Sequence, residues 1–282
     1  GPAVLRDPRL VLLRRWLCVI PGGLLVALAA GLTPAGAQDS QVSVAEATLR
    51  WGMNSEANNR SPIPGPEGIF NFFSSGRIPK PSNGVVAPGQ WAQSTGSVRI
   101  EKWNGSSYQP ATWSGLGSDS SGMTIPSFLS GRYSGHQFVF TKGVGTLGRA
   151  TGTARIQWRG DVSVIFYGGM VFFYLSDPLL EVAEGQATLK ATVSGFGSSQ
   201  DNPDVSFPVA PREVIVAQMP AVALGELGFT ATPSYDGVRT NVLGQSVTGS
   251  FPQSFVSAME PFGTAPFWHN SGGSLDQAKR PQ

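Results

Sequence analysis

Apolar and polar residues alternate with the period of a β-strand over much of the chain. Residues 96–103 alternate in this way around Val98 and Ile100. Asn104-Gly105 then supplies the positive-φ pair of a tight hairpin before residues 108–113. Further strand-length runs follow at residues 137–140, 153–158, 162–166, 170–175, 180–182, 187–193 and 213–219.

The spacing of these runs predicts the fold class. Turn residues separate them, and no amphipathic helix between them is long enough for a parallel crossover. A short helix is predicted in residues 251–259, with Pro252 near its start and Pro261 just past its end. We therefore expect a mainly β, antiparallel β-sandwich-like domain with one or two short helices, formed by residues 38–282 as a single domain.

Two segments lack strand periodicity. Residues 60–93 contain six prolines and predict irregular structure, although Phe70, Phe72 and Phe73 are too apolar to be left in water. Residues 198–211 are polar and proline-rich, which predicts a long surface loop.

The first 37 residues have the pattern of a secretory signal peptide. Four arginines precede an apolar run at 16–32, and the small residues Ala35-Gly36-Ala37 follow it. Cleavage is expected after Ala37; an uncleaved leader would be the chain's one contact with a membrane. The expected localisation is secreted or cell-wall associated.

Removing the leader changes the charge and the cysteine content. It takes four of the 20 Lys+Arg and one of the 18 Asp+Glu, which leaves a near-neutral chain with 16 basic and 17 acidic residues. It also takes Cys18, the single cysteine. We therefore expect no disulfide, no thiolate ligand and no nucleic-acid partner.

Sequence motifs of catalysis are missing. The chain has two histidines, His136 and His269, and neither lies in a hydrolase or metalloprotease motif. Residues 143–148 match the letters GxGxxG, but they lie between two sheet-type runs and open no helix, so we expect a turning loop and no dinucleotide site. The sequence predicts a protein that is not an enzyme.

Two segments of the predicted sheet resemble a known family. They are Ile156-Gln157-Trp158-Arg159-Gly160-Asp161-Val162-Ser163-Val164 and Phe172-Phe173-Tyr174-Leu175-Ser176-Asp177-Pro178, after a Leu49-Arg50-Trp51-Gly52 opening. Together they are similar to the HtaA-type, heme-transport-associated domain of actinobacterial surface proteins. The resemblance implies a β-sandwich-like surface domain that binds heme through a tyrosine, with a histidine hydrogen-bonded to it, and passes heme to a surface uptake system.

The resemblance also suggests site residues. The family's tyrosine after Trp-Gly is missing here, and Tyr167 stands about where the family has its histidine. Tyr167 is therefore the first candidate for a heme iron ligand, His136 is the second, and Tyr133 lies near His136. The other candidates are Tyr108, Tyr174 and Tyr235. The alternative interpretation is that all of these are packing residues of the sheet.

Two functions stay open at this point. One is heme binding or heme relay by an HtaA-like surface protein. The other is a non-enzymatic adhesion or self-assembly module that lacks the heme site and contacts cell-wall glycan or other copies of itself.

Overall fold

The computed structural model describes residues 24–27, 41–63, 69–81, 84–198 and 206–282, and the fold is mainly β. Within these residues there are fifteen strands and one short α-helix. The strands are β1 Leu24–Ala27, β2 Gln41–Trp51, β3 Phe72–Ser75, β4 Ser94–Thr95, β5 Val98–Trp103, β6 Tyr108–Pro110, β7 His136–Gly148, β8 Thr153–Gln157, β9 Asp161–Phe166, β10 Val171–Ala183, β11 Gln186–Ser198, β12 Ser206–Met219, β13 Gly228–Ala231, β14 Arg239–Val242 and β15 Gln245–Thr248; the helix is α1 Gln253–Met259. Single 3-10 turns lie at Glu56–Asn58, Pro88–Gln90, Trp113–Gly115, Tyr167–Gly169, Glu260–Phe262, Ala265–Trp268 and Asp276–Lys279.

Thirteen of the strands form one large sheet in which every pairing is antiparallel. Its main path runs β12-β11-β10-β8-β7-β2-β1-β13, with β3 to β6 and β9 joined at its side, and β14 and β15 form a separate pair. The antiparallel, mainly β prediction is therefore confirmed.

Two long strands bend and so bring the faces of the sheet together. The first half of β7 pairs with β5 and its second half with β8, and β10 pairs first with β9 and then with β8. The bends coincide with the positive φ angles of Lys142 (59°) and Asp177 (50°), and Pro178 removes a ladder donor at the second bend. Each long strand thus belongs to two parts of the sheet, which produces the sandwich-like form.

Aromatic side chains fill the space between the faces. Trp51, Trp158 and Trp268 are fully buried. Phe251 and Phe255 each approach Trp268 with ring centroids 5.1 Å apart. Edge-to-face pairs of this kind add stabilisation to the apolar area that they bury.

The short helix lies where the sequence predicts it. Pro252 precedes its first residue, and its buried side chains include Phe255, Val256 and Met259. Ser254 Oγ accepts the backbone N–H of Ile215, so the helix also covers part of the β12 edge.

Two sequence predictions change in detail. The predicted loop 198–211 is wrong from Ser206 onward, because β12 begins there and pairs with β11 as far as Ser198. The described residues between 60 and 93 are irregular except for β3, the turn at Pro88–Gln90 and an isolated bridge between Arg60 and Phe70; the buried Phe72 and Phe73 lie in β3. Long-range pairing, which a local pattern does not reveal, creates both strands.

Most of the predicted leader lies outside the described residues, and so does its cleavage site. The exception is β1, whose backbone pairs with β2 on one side and with β13 on the other. Among the described helices, none has the length and apolar character needed to cross a bilayer.

The GxGxxG segment lies inside β7 and is not the turning loop that we expected. Gly145 pairs with Val44 of β2 and with Ile156 of β8. A Cβ atom on Gly145 would lie 1.8 Å from the carbonyl oxygen of Arg155, which is backbone and cannot rotate away. Gly145 therefore allows close contact between neighbouring strands.

Gly145→Ala is expected to lower the free energy of unfolding by about 2–3 kcal/mol, because the strands must separate to admit the methyl group. Gly89→Ala is the matched control, since a Cβ atom on Gly89 would have no other atom within 4 Å, and its effect should stay within about 0.5 kcal/mol. Urea unfolding of both variants measures the difference. Equal midpoints would show that the sheet accommodates a side chain at Gly145.

Candidate functional site

A small cavity opens where β7 begins. Its volume is about 170 Å³, and its walls come from the segment after β2, the β5–β6 hairpin and the start of β7. Residues that line it include Asn58, Trp103, Tyr108, Tyr133, His136 and Gln137. Two of the three predicted site residues, His136 and Tyr133, therefore share one cavity.

Asn58 holds the walls of this cavity together. Its Oδ1 accepts the backbone N–H of His136 at 3.0 Å and the hydroxyl of Ser134 at 3.1 Å. Its Nδ2 donates to the carbonyl oxygens of Gly52 and Asn54, each at 3.4 Å. One buried amide thus joins the Trp51-Gly52 segment to the strand that carries His136.

His136 is buried beside the cavity, with 2% of its surface exposed. Its Nδ1 lies 2.8 Å from Ser134 Oγ, whereas its Nε2 is buried and has no hydrogen-bond partner among the described residues. Burial, assisted by the nearby positive charge of Lys102, lowers the pKa of His136 to about 3. The imidazole is therefore neutral at physiological pH.

Aromatic rings form a second wall. The rings of Trp103 and Tyr108 meet edge to face, with centroids 5.0 Å apart, and both side chains are partly exposed. Burial is the main cause of the raised pKa of Tyr133, and the carboxyl of Glu56 adds to it. Burial likewise raises the pKa of Tyr108, so both hydroxyls stay protonated.

Two charged side chains of β5, Glu101 and Lys102, bond to other groups of the protein. Glu101 forms ion pairs with Arg50 and Arg99, and it accepts a hydrogen bond from Gln137 Nε2 at 3.2 Å. Lys102 Nζ donates to the carbonyl oxygens of Ser118 and Ser134. The side chains that line the cavity are uncharged, and His136 among them is neutral because burial lowers its pKa.

Tyr167, the first candidate for an iron ligand, lies elsewhere. It begins the 3-10 turn Tyr167–Gly169 with a φ of 52°, and its ring packs edge-on against Phe267 with centroids 5.6 Å apart. Its backbone N–H donates to Asn71 Oδ1. The structure does not place Tyr167 among the residues that line the cavity of His136 and Tyr133.

The amide-rich segment after Trp51-Gly52 is buried and serves the fold. Asn54, Ser55, Glu56, Asn58 and Asn59 are each at most 4% exposed. Their side chains bond backbone groups and one another across loops far apart in sequence. The sequence pattern does not reveal that Asn58 positions His136, because the two residues are 78 positions apart.

Heme does not fit the cavity as it stands. The donors are suitable in kind, since a neutral imidazole and a phenol share the site. However, pockets for drug-sized ligands measure about 300–1,000 Å³, and a porphyrin is larger than the 170 Å³ available here. Within the described residues, no three His, Cys, Asp or Glu side chains group together as a metal site.

Comparison of the sequence with protein-family models, curated proteins and solved structures finds no match. The HtaA resemblance therefore stays a prediction that depends on its short motifs alone.

Proposed function

We propose that the chain is an exported, non-enzymatic binding module of the cell surface that recognises a neutral sugar unit of a cell-wall glycan. The observation that carries this proposal is the Trp103–Tyr108 pair beside a small cavity lined by uncharged polar side chains. The predicted leader at residues 1–37 supports export, and it is itself part of the proposal.

The chemistry of the walls suits a sugar. The C–H faces of a sugar ring pack on aromatic rings, and its hydroxyls need neutral donors and acceptors at fixed positions. Trp103 and Tyr108 supply the aromatic surface, and Gln137 and Tyr133 supply polar groups. A charged ligand would find no opposite charge on the lining side chains.

The size of the cavity favours a sugar over heme. A volume of about 170 Å³ suits a single small ring, and the remaining units of a glycan would extend into solvent. Heme binding at His136 and Tyr133 requires the walls to move apart.

Binding of soluble cell-wall glycan fragments, measured by titration calorimetry, tests the proposal. Trp103→Ala is expected to weaken binding by about tenfold or more, as is common for a central aromatic residue of a binding site. Trp113→Ala is the matched control, because Trp113 is also partly buried but packs against Phe72 and Trp91 outside the cavity.

A parallel titration with hemin separates the two functions. No glycan binding together with a saturable Soret shift would overturn the proposal in favour of heme. No binding of either ligand would overturn it as well.

A further inference from the structure

We propose that the Asn58–Ser134 pair fixes His136 with its proton on Nδ1, so that Nε2 is a permanent hydrogen-bond acceptor that selects a ligand hydroxyl. This inference rests on the proposed function for the identity of the ligand. The state of the imidazole itself follows from the hydrogen bonds alone.

The orientation of the Asn58 amide is the first step. A backbone N–H can only donate, so the Asn58 atom that meets His136 N at 3.0 Å is the carbonyl oxygen Oδ1. The other end of the amide then points its N–H groups at the carbonyl oxygens of Gly52 and Asn54. A flipped amide would oppose donor to donor and acceptor to acceptor at all three contacts.

The hydroxyl of Ser134 is the second step. It lies 3.1 Å from Asn58 Oδ1, which can only accept, and 2.8 Å from His136 Nδ1. A serine hydroxyl carries a single proton. If that proton pointed at Nδ1, two oxygen lone pairs would face each other at 3.1 Å in a buried site. The hydroxyl therefore donates to Asn58 Oδ1, and Ser134 Oγ accepts a proton from His136 Nδ1.

The imidazole is the third step. With one proton on Nδ1, a neutral ring has a lone pair on Nε2. Burial and the adjacent Lys102 oppose a second proton. Nε2 is buried and has no partner among the described residues, and His136 is one of the residues that line the cavity. The partner that we assign to Nε2 is a ligand hydroxyl that enters at this side of the cavity.

The ligand class follows from this lone pair. A buried acceptor favours a ligand that brings an O–H or N–H donor, and it disfavours a ligand that presents an acceptor or a methyl ether at the same point. Among sugar units, a free hydroxyl at that position is required. Asn58 and Ser134 are positioning residues, since they act on the ligand only through His136.

Long-range ¹H–¹⁵N spectra of the uniformly labelled full chain test the tautomer without any ligand. We expect the ¹⁵N chemical shift of His136 Nδ1 to be that of a protonated nitrogen and the shift of Nε2 to be that of an unprotonated nitrogen. Neither shift should change between about pH 5 and pH 8. His269→Gln assigns the two histidine spin systems. A proton on Nε2 in the wild-type chain would overturn the inference, whatever the chain binds.

Two serine variants extend the test. Ser134→Ala should move part of the population to the Nε2-protonated form and weaken glycan binding by about tenfold. Ser127→Ala should change neither, because Ser127 is exposed and is not among the residues that line the cavity. An unchanged tautomer in Ser134→Ala would contradict the role of Ser134, and if that variant does not fold, the wild-type spectrum still decides the central point.

A glycan fragment with its hydroxyls methylated distinguishes the two proposals. It should bind at least about tenfold more weakly than the free fragment. Equal binding would overturn the selection of a hydroxyl by His136 while leaving the glycan function intact. Loss of all glycan binding with the expected tautomer would overturn the function and leave the state of His136 established.

Discussion

Asn54→Ala should lower the free energy of unfolding by about 3–5 kcal/mol, a large part of the stability of an ordinary domain. Asn54 is fully buried, and its Nδ2 donates to the carbonyl oxygens of Phe267 at 2.9 Å and Lys279 at 3.1 Å. Its Oδ1 accepts the N–H of Ala57 at 2.9 Å. Alanine leaves all three backbone groups buried without this partner, at about 1–3 kcal/mol each. Chemical denaturation monitored by tryptophan fluorescence measures the loss.

Asn104→Ala provides the control for the same chemical change at the surface. Asn104 Oδ1 also accepts two backbone N–H groups, those of Ser106 and Ser107, but in an exposed turn where water can replace it. The loss should stay below about 1 kcal/mol. Similar losses in the two variants would mean that water reaches the site of Asn54 and that this residue does not join the loops.

Glu56→Gln should remove a pH dependence worth about 3 kcal/mol. Burial raises the pKa of Glu56 from 4.5 to about 7, and the Asn59 amide and the positive charge of Lys279 oppose this rise. Below pH 4.5 the carboxyl is protonated in the folded and the unfolded chain alike. Between pH 4.5 and about 7 the unfolded chain has lost its proton while the folded chain keeps it, so stability falls over this range and becomes constant once the folded chain is also ionised. Glutamine carries no such charge at any pH.

The measurement compares the unfolding free energies of wild type and Glu56→Gln at about pH 4 and pH 8. The advantage of the variant should grow by about 3 kcal/mol between these values. Glu226→Gln serves as the control, because Glu226 is exposed. Its unfolding free energy should match that of wild type at both pH values. A constant difference between Glu56→Gln and wild type would show that the folded chain ionises Glu56 without cost.

Local patterns predicted the parts of the fold that depend on neighbours in sequence. The alternation around Val98 and Ile100 lies in β5, and Asn104-Gly105 lies in the turn before β6, as predicted. The predicted positive-φ pair is wrong at Asn104, since only Gly105 has a positive φ, of 97°. Prolines on either side of residues 253–259 marked the helix correctly. In each case the residues that determine the structure lie within one turn or strand of it.

Other features depend on residues far away and could not be predicted in this way. The start of β12 at Ser206 depends on pairing with β11, which overrides its prolines. The cavity requires Asn58, Trp103 and His136 to meet, and the register of β5 against β7 and the hydrogen bond from His136 N to Asn58 Oδ1 bring them together. The prediction of Tyr167 as an iron ligand depended only on its position in the motif. In the structure its ring packs against Phe267.

Gln282 has a practical consequence for protein engineering. Its carbonyl oxygen accepts a hydrogen bond from Trp51 Nε1, its N–H donates to Met53 O, and the residue lines the cavity. An affinity tag or a fluorescent protein joined directly after Gln282 would therefore start at the cavity wall and obstruct access. The exposed turn at residues 149–152 lies at the far end of β7 and is the better site for a label.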